Sequence, residues 1–152
     1  MDDGQASNPR TTVERFLETT ISGQPGDLAD FYAPNVVIEM PFAPAGLYPP
    51  RIETTREQLR ARFAAGASIR RYTSLDNVVI HQTADPETIV VEYELQGEMV
   101  STGEAFRLNF AMFMTIRDGL IIHTRDYADP IAGARILGKL PELLATLAGS
   151  ER

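Results

Sequence analysis

Two alternating segments meet across Asp118-Gly119, and together they leave few ways for the chain to fold. In residues 104–117, Phe106, Leu108, Phe110, Met112, Met114 and Ile116 share one face. Arg107, Asn109, Ala111, Phe113 and Thr115 share the other. A period of two with one apolar set is the signature of a strand buried on one side. The segment 120–128 divides into Leu120, Ile122, Thr124, Asp126 and Ala128 against Ile121, His123, Arg125 and Tyr127. A one-residue slip between the two strands exchanges these sets. A two-residue turn at Asp118-Gly119 would pair Ile116 with Ile121 and bring His123 and Arg125 beside the methionines. A three-residue loop with Gly119 in a left-handed bulge pairs Ile116 with Leu120, Thr124 with Met112 and Asp126 with Phe110. The second register is expected, because it leaves Asp126 as the only charge on an apolar face.

Arg125 does not readily neutralise that charge, since neighbours in a strand point to opposite sides. Desolvation beside an aromatic ring raises a carboxyl pKa and makes it an effective acid or base near neutrality. The same residue type also occurs as a solvated strand-end aspartate or as the cap of the helix near Pro130. Alternation alone does not separate these readings. Glu92 and Glu94 share one face of a strand over 88–100, opposite Ile89, Val91, Tyr93 and Leu95. They face water by simple alternation; in the functional alternative they enter a polar pocket, where one must hold a proton. Glu39 sits among Val37, Ile38, Met40 and Phe42 before a loop carrying Pro41, Pro44, Pro49 and Pro50. It suits catalysis and the binding of loop amides about equally.

The rest of the chain reads as helices first and strands afterwards. Asn8-Pro9 opens a helix with Val13, Phe16, Leu17 and Ile21 on one face, ended by Gly23. A short helix follows at 27–32, then a strand at 35–40 and the proline loop over 41–52. Thr54-Thr55-Arg56-Glu57 starts a helix running to about Ala67. Strands are expected at 72–83, 88–100, 104–117 and 120–128, and helices beyond Pro130. This order indicates an α+β class, with a curved antiparallel sheet packed on N-terminal helices. One domain over 9–148 is expected, with tails at 1–8 and 149–152.

Charge excludes one class of partner. The chain has 152 residues with 14 Lys and Arg against 21 Asp and Glu, a net charge of −7. Nucleic-acid binding needs a cationic surface. There is no cysteine. Two histidines without ligand spacing make a metal site unexpected. No phosphate-binding glycine motif or nucleophile elbow is present. Met1-Asp2-Asp3-Gly4 lacks the basic and apolar regions of a signal peptide, and no apolar run is of membrane-spanning length. The expectation is a soluble, cytoplasmic protein without cofactor, nucleic-acid partner or membrane partner.

Two early helices, the strand Val36-Val37-Ile38-Glu39-Met40-Pro41, the proline loop, a helix and a last hairpin ending Arg125-Asp126-Tyr127-x-Asp129 resemble the SnoaL-like branch of the nuclear transport factor two-like (cystatin-like) superfamily. The resemblance covers about 10–140. It implies a conical sheet closed by helices over a deep pocket, a homodimer, and cofactor-free chemistry on a small hydrophobic molecule. Polyketide cyclases, limonene epoxide hydrolases and ketosteroid isomerases are the examples. Arg125-Asp126-Tyr127-x-Asp129 is similar to the last strand of the epoxide hydrolases, where the aspartate after arginine is catalytic. Their neighbouring Arg-x-Asp pair falls at Glu92 and Glu94, so the bridging arginine is replaced. Glu39 stands at their water-positioning asparagine. Met40 and a position near Met112 replace the two isomerase aspartates.

The resulting expectation is an acid–base enzyme of cyclase or isomerase type. Asp126, Glu94 and Glu39 are its catalytic candidates. Glu92, Leu108, Phe110, Met112 and Phe42 are its substrate-binding candidates. An epoxide-hydrolase-like enzyme and a small-molecule-binding protein without turnover are the alternatives. An assembly role would use the outer face around Phe113 and Tyr127.

Overall fold

In the computed structural model, which describes residues 8–149, helix α1 (Pro9–Ser22) begins where Asn8 accepts the amide of Arg10 through Oδ1 at 3.0 Å. Its buried side is Thr12, Val13, Phe16 and Leu17. A short 3-10 helix, Asp27–Phe31, leads into strand β1 (Tyr32–Glu39). Strand β2 (Arg51–Thr55) runs into helix α2 (Arg56–Ala67), whose capping box joins Thr55 and Gln58. Four long strands follow: β3 (Arg70–Gln82), β4 (Thr88–Met99), β5 (Ala105–Arg117) and β6 (Leu120–Ala128). Helices α3 (Pro130–Ile136) and α4 (Leu140–Gly149) close the described chain. The expected tails lie outside the described residues, apart from Asn8 at the α1 cap and Gly149 in α4.

The α+β class is the observed one, with a mixed six-stranded sheet in the order β2-β1-β6-β5-β4-β3. β1 and β6 are parallel, while the other neighbours are antiparallel. Pro34 lies in the interruption of the parallel pair between Tyr32 and Val37, where its missing N–H cannot serve the ladder. Bulges within β3 and β6 bend their strands. β2 falls inside a stretch expected as loop and start of helix. Its five residues, Arg-Ile-Glu-Thr-Thr, become a strand because β1 offers an open edge.

One face of the sheet packs on α1 and α2 around Val13, Phe16, Leu17, Leu59, Val91, Tyr93, Met112, Met114, Ile116 and Ile121, all buried. Strand directions gather the ends of β1, β4 and β6 and the starts of β2, β3 and β5 at one rim. The proline loop meets the segment entering α4 there, with Lys139 Nζ 4.8 Å from the centroid of the Tyr48 ring.

The β5–β6 hairpin corrects the expected register. Asp118 (φ 52°) and Gly119 (φ 76°) form the two-residue turn, and Ile116 pairs with Ile121 rather than with Leu120. A bulge then skips one residue of β6, so that Thr115 pairs with His123, Met114 with Thr124 and Met112 with Asp126. The extra residue sits inside the strand instead of in the turn. Both requirements are met: a tight turn whose twist suits the hairpin, and Ile121, Thr124 and Asp126 on the core side. Asp126 faces Met112, not Phe110.

Candidate functional site

Asp126 stands two residues before the end of β6, on the face that packs against α1 and α2. The residue is partly buried, but Oδ1 is sealed from solvent and has no hydrogen-bond partner. Burial pushes its carboxyl up to about 6. The Thr124 hydroxyl and the His123 charge work against the rise. Thr124 lies on the same side of the strand, and its own Oγ1 is also sealed without a well-aligned hydrogen bond. A buried, unpaired polar oxygen costs free energy of the order of 1–3 kcal/mol. Such a cost at a strand end near a rim makes Asp126 a candidate for a role beyond packing.

The surroundings are apolar with two phenols. Met112 is directly opposite Asp126, and its Sδ accepts the Tyr93 hydroxyl at 3.2 Å. Tyr93 stacks on Phe110 with ring centroids 5.2 Å apart. Tyr32 packs edge-on against Phe16 at 6.1 Å. Burial, and after it the charge of Asp126, push both phenols upward, so each keeps its proton. A neutral phenol in a dry site donates a hydrogen bond to negative charge that develops nearby. Tyr93 was legible on the inward face of 88–100; its relation to Asp126 was not. Tyr32 gave no signal, because the short helix was expected to run through it, whereas it is the first residue of β1.

Leu108, Phe110 and Met112 lie on the Asp126 face, as the alternation of β5 requires. The expected glutamates do not join them. Glu39, Glu92 and Glu94 occupy the opposite face of the sheet. Glu39 Oε2 meets His123 Nε2 at 2.6 Å, across the parallel β1–β6 seam. Glu92 Oε2 meets His81 Nε2 at 2.7 Å and is exposed. Glu94 lies 3.3 Å from Arg107 Nε and accepts Gln96 Nε2 at 3.1 Å. Period-two alternation is the reason: with Val91, Tyr93 and Leu95 buried, Glu92 and Glu94 must face outward. Phe42 is also not above the apolar wall. It is 61% exposed and packs edge-on against Tyr127, which in turn contacts Phe113. No group of three or more His, Asp or Glu side chains suited to a metal ion occurs among the described residues.

A groove of about 540 Å³ opens at the rim, between the β4–β5 turn and α3, and Asp126 is not in its lining. Asp129 is, with its Oδ1 capping α3 through the amides of Ile131 at 2.9 Å and Ala132 at 3.3 Å. The helix cap near Pro130 is thus Asp129, which leaves Asp126 without that structural duty. No helix among the described residues is long and apolar enough to cross a membrane.

Known proteins place this architecture. The family model of the SnoaL-like domain matches residues 13–124. The uncharacterized protein YesE of Bacillus subtilis strain 168 is 26% identical over 133 residues, covering 84% of this chain and 85% of the relative. A solved Bacillus subtilis structure, provisionally named an isomerase, superposes with a TM-score of 0.77 at 23% identity, over 90% of this chain and 96% of that one. A Pseudomonas putida KT2440 structure, provisionally named a polyketide cyclase, gives a TM-score of 0.70 at 15% identity, over 84% and 96%. At these identities the two structures speak for the fold.

Proposed function

The chain belongs to the SnoaL-like domain family, and we propose that it is a cofactor-independent acid–base enzyme of cyclase or isomerase type acting on a small apolar substrate. The observation that carries this reading is Asp126: a carboxyl pushed up to about 6, with one sealed oxygen free of partners, on an apolar wall of Leu108, Phe110 and Met112. A group of this kind removes a proton from a carbon next to a carbonyl and later returns it. Tyr93 or Tyr32 would donate to the oxygen on which charge develops. Proton transfer by such a group supplies about 10²–10⁴-fold in rate, and positioning supplies the rest. The provisional names of the two structural neighbours, an isomerase and a polyketide cyclase, are of this class.

The epoxide-hydrolase alternative loses support from the geometry. It requires a second acid bridged to Asp126, whereas Glu92 and Glu94 face away from it. A homodimer belongs to the same proposal. The exposed side of the sheet carries Tyr127, Phe113 and Arg125, with Phe42 of the proline loop packed on Tyr127 and the Arg125 guanidinium 4.8 Å from the Phe113 ring centroid. A second copy would cover this surface.

The pH–rate profile tests the assignment. A base works when deprotonated, so kcat/KM should rise about tenfold per pH unit below the Asp126 pKa and level off above about 6. An NMR titration of the Asp126 carboxyl should follow the same curve. A midpoint near the ordinary carboxylate value, with ligand binding but no turnover, would replace the enzyme by a binding protein.

A further inference from the structure

We infer that the rim groove between the β4–β5 turn and α3 is a binding site for a small apolar monocarboxylate, separate from the Asp126 carboxyl. The groove measures about 540 Å³, within the range of small-molecule sites. Its floor is apolar: Met99, Phe106 and Ile136, with Ile131 on the lip 61% exposed.

The floor is preformed. Phe106 pairs across the strands with Gly97, and a Cβ on Gly97 would stand 2.6 Å from Phe106 Cζ and 2.4 Å from the Arg71 carbonyl oxygen. The missing side chain lets the tip of the ring come up against β4. Tyr72 holds it edge-on from β3, with centroids 6.2 Å apart. A rigid floor of this kind binds without first paying for its own ordering.

The charges around the groove define the ligand. Asp129 is committed to the cap of α3. Arg107 is drawn outward to Glu94 at 3.3 Å. The Arg135 side chain has no hydrogen bond, ion pair or ring contact among the described residues, and neither does the carboxylate of Glu104. A guanidinium with its fork free matches the two oxygens of a carboxylate. Glu104 carries the opposite sign in the same groove and repels a second negative charge. One carboxylate on an apolar body meets the Arg135 fork, whereas a dicarboxylate or a phosphate ester brings further negative charge up to Glu104.

Two probes separate the outcomes: 2-naphthoate, and naphthalene-2,6-dicarboxylate as the dianion. The backbone amides of the full chain are followed by NMR during titration. 2-Naphthoate should shift the amides of Phe106, Ile131 and Arg135 with saturation, and the dianion should bind at least several-fold more weakly. Arg135→Gln, at an exposed position, should weaken 2-naphthoate about tenfold or more. Glu104→Gln should narrow the gap between the two probes. Asp126→Asn should leave the affinity unchanged, which keeps the result independent of the catalytic assignment. Unchanged affinity in Arg135→Gln, or binding lost in Asp126→Asn alone, would overturn the site.

Discussion

Asp126→Asn should lower the turnover of a confirmed substrate by about 10²–10⁴-fold and at the same time raise the stability of the protein at neutral pH. The two effects have one origin. The folded carboxyl titrates at about 6, above its ordinary 3.8, because burial penalises the charged form. Between these values the folded state holds a proton that the unfolded state has released. Stability therefore falls as pH rises from about 4 to 6, and the full penalty persists above 6. Two pKa units correspond to about 2–3 kcal/mol. Asparagine keeps the shape and removes the titration. Thermal denaturation at pH 8 should thus favour the Asp126→Asn variant, and the advantage should vanish at pH 4. A variant with unchanged turnover, or one less stable at pH 8 than the parent, would remove Asp126 from the centre of the mechanism.

Met112→Ala is expected to be the most damaging single change at the wall of the site. Met112 is 6% exposed, stands opposite Asp126 and accepts the Tyr93 hydroxyl at 3.2 Å. Truncation leaves a cavity in the core and should cost about 2–5 kcal/mol. It also orphans the Tyr93 hydroxyl and opens room for water beside Asp126. Hydration lets the carboxyl fall back toward 3.8, so the rising limb of the pH–rate profile should move to lower pH. Met112→Leu preserves volume and should cost less than about 1.5 kcal/mol. It removes only the sulfur acceptor, and its pH profile should stay where it is. Denaturant unfolding and pH–rate measurements on both variants separate packing from hydration. A Met112→Ala profile that does not move would mean that the wall has no part in raising Asp126.

The start of α1 could be read from local chemistry, because Asn8 caps through its side chain two residues away, and that of α2 to within one residue, its capping box falling at Thr55 and Gln58 rather than at Thr54 and Glu57. The faces of β4 and β5 were legible for a related reason: alternation over twelve or thirteen residues leaves little ambiguity about which side is buried. The path of β6 was only half legible. The turn residues favoured one register and the apolar pattern favoured another. The fold satisfies both by a bulge after Ile121, which no local pattern specifies. Asp126 therefore reached the inward face, but opposite a different neighbour.

Glu39 shows the other limit. Its partner His123 is 84 residues away and meets it only because β1 lies parallel to β6. Nothing near Glu39 encodes that seam, so a carboxylate that looked poised under a loop proves to be one half of a pair on the far face. β2 was missed for a similar reason. Five mostly polar residues after two prolines form a strand only where another strand presents a free edge.

By itself the sequence determined the class of fold, the inward set of β5 and the presence of one carboxylate among apolar residues on the last strand. Those properties follow from periodicity and residue chemistry, which act over a few positions at a time. The tertiary structure put Glu39 on the far side of the sheet with Glu92 and Glu94, whose outward direction alternation already implied, so none of the three shares that carboxylate's side. It also brought Tyr32 and Tyr93 into electrostatic reach of Asp126 and placed Arg135 and Glu104 in the lining of one rim groove. Such meetings depend on strand order, bulges and the packing of helices on the sheet, and these are properties of the whole chain.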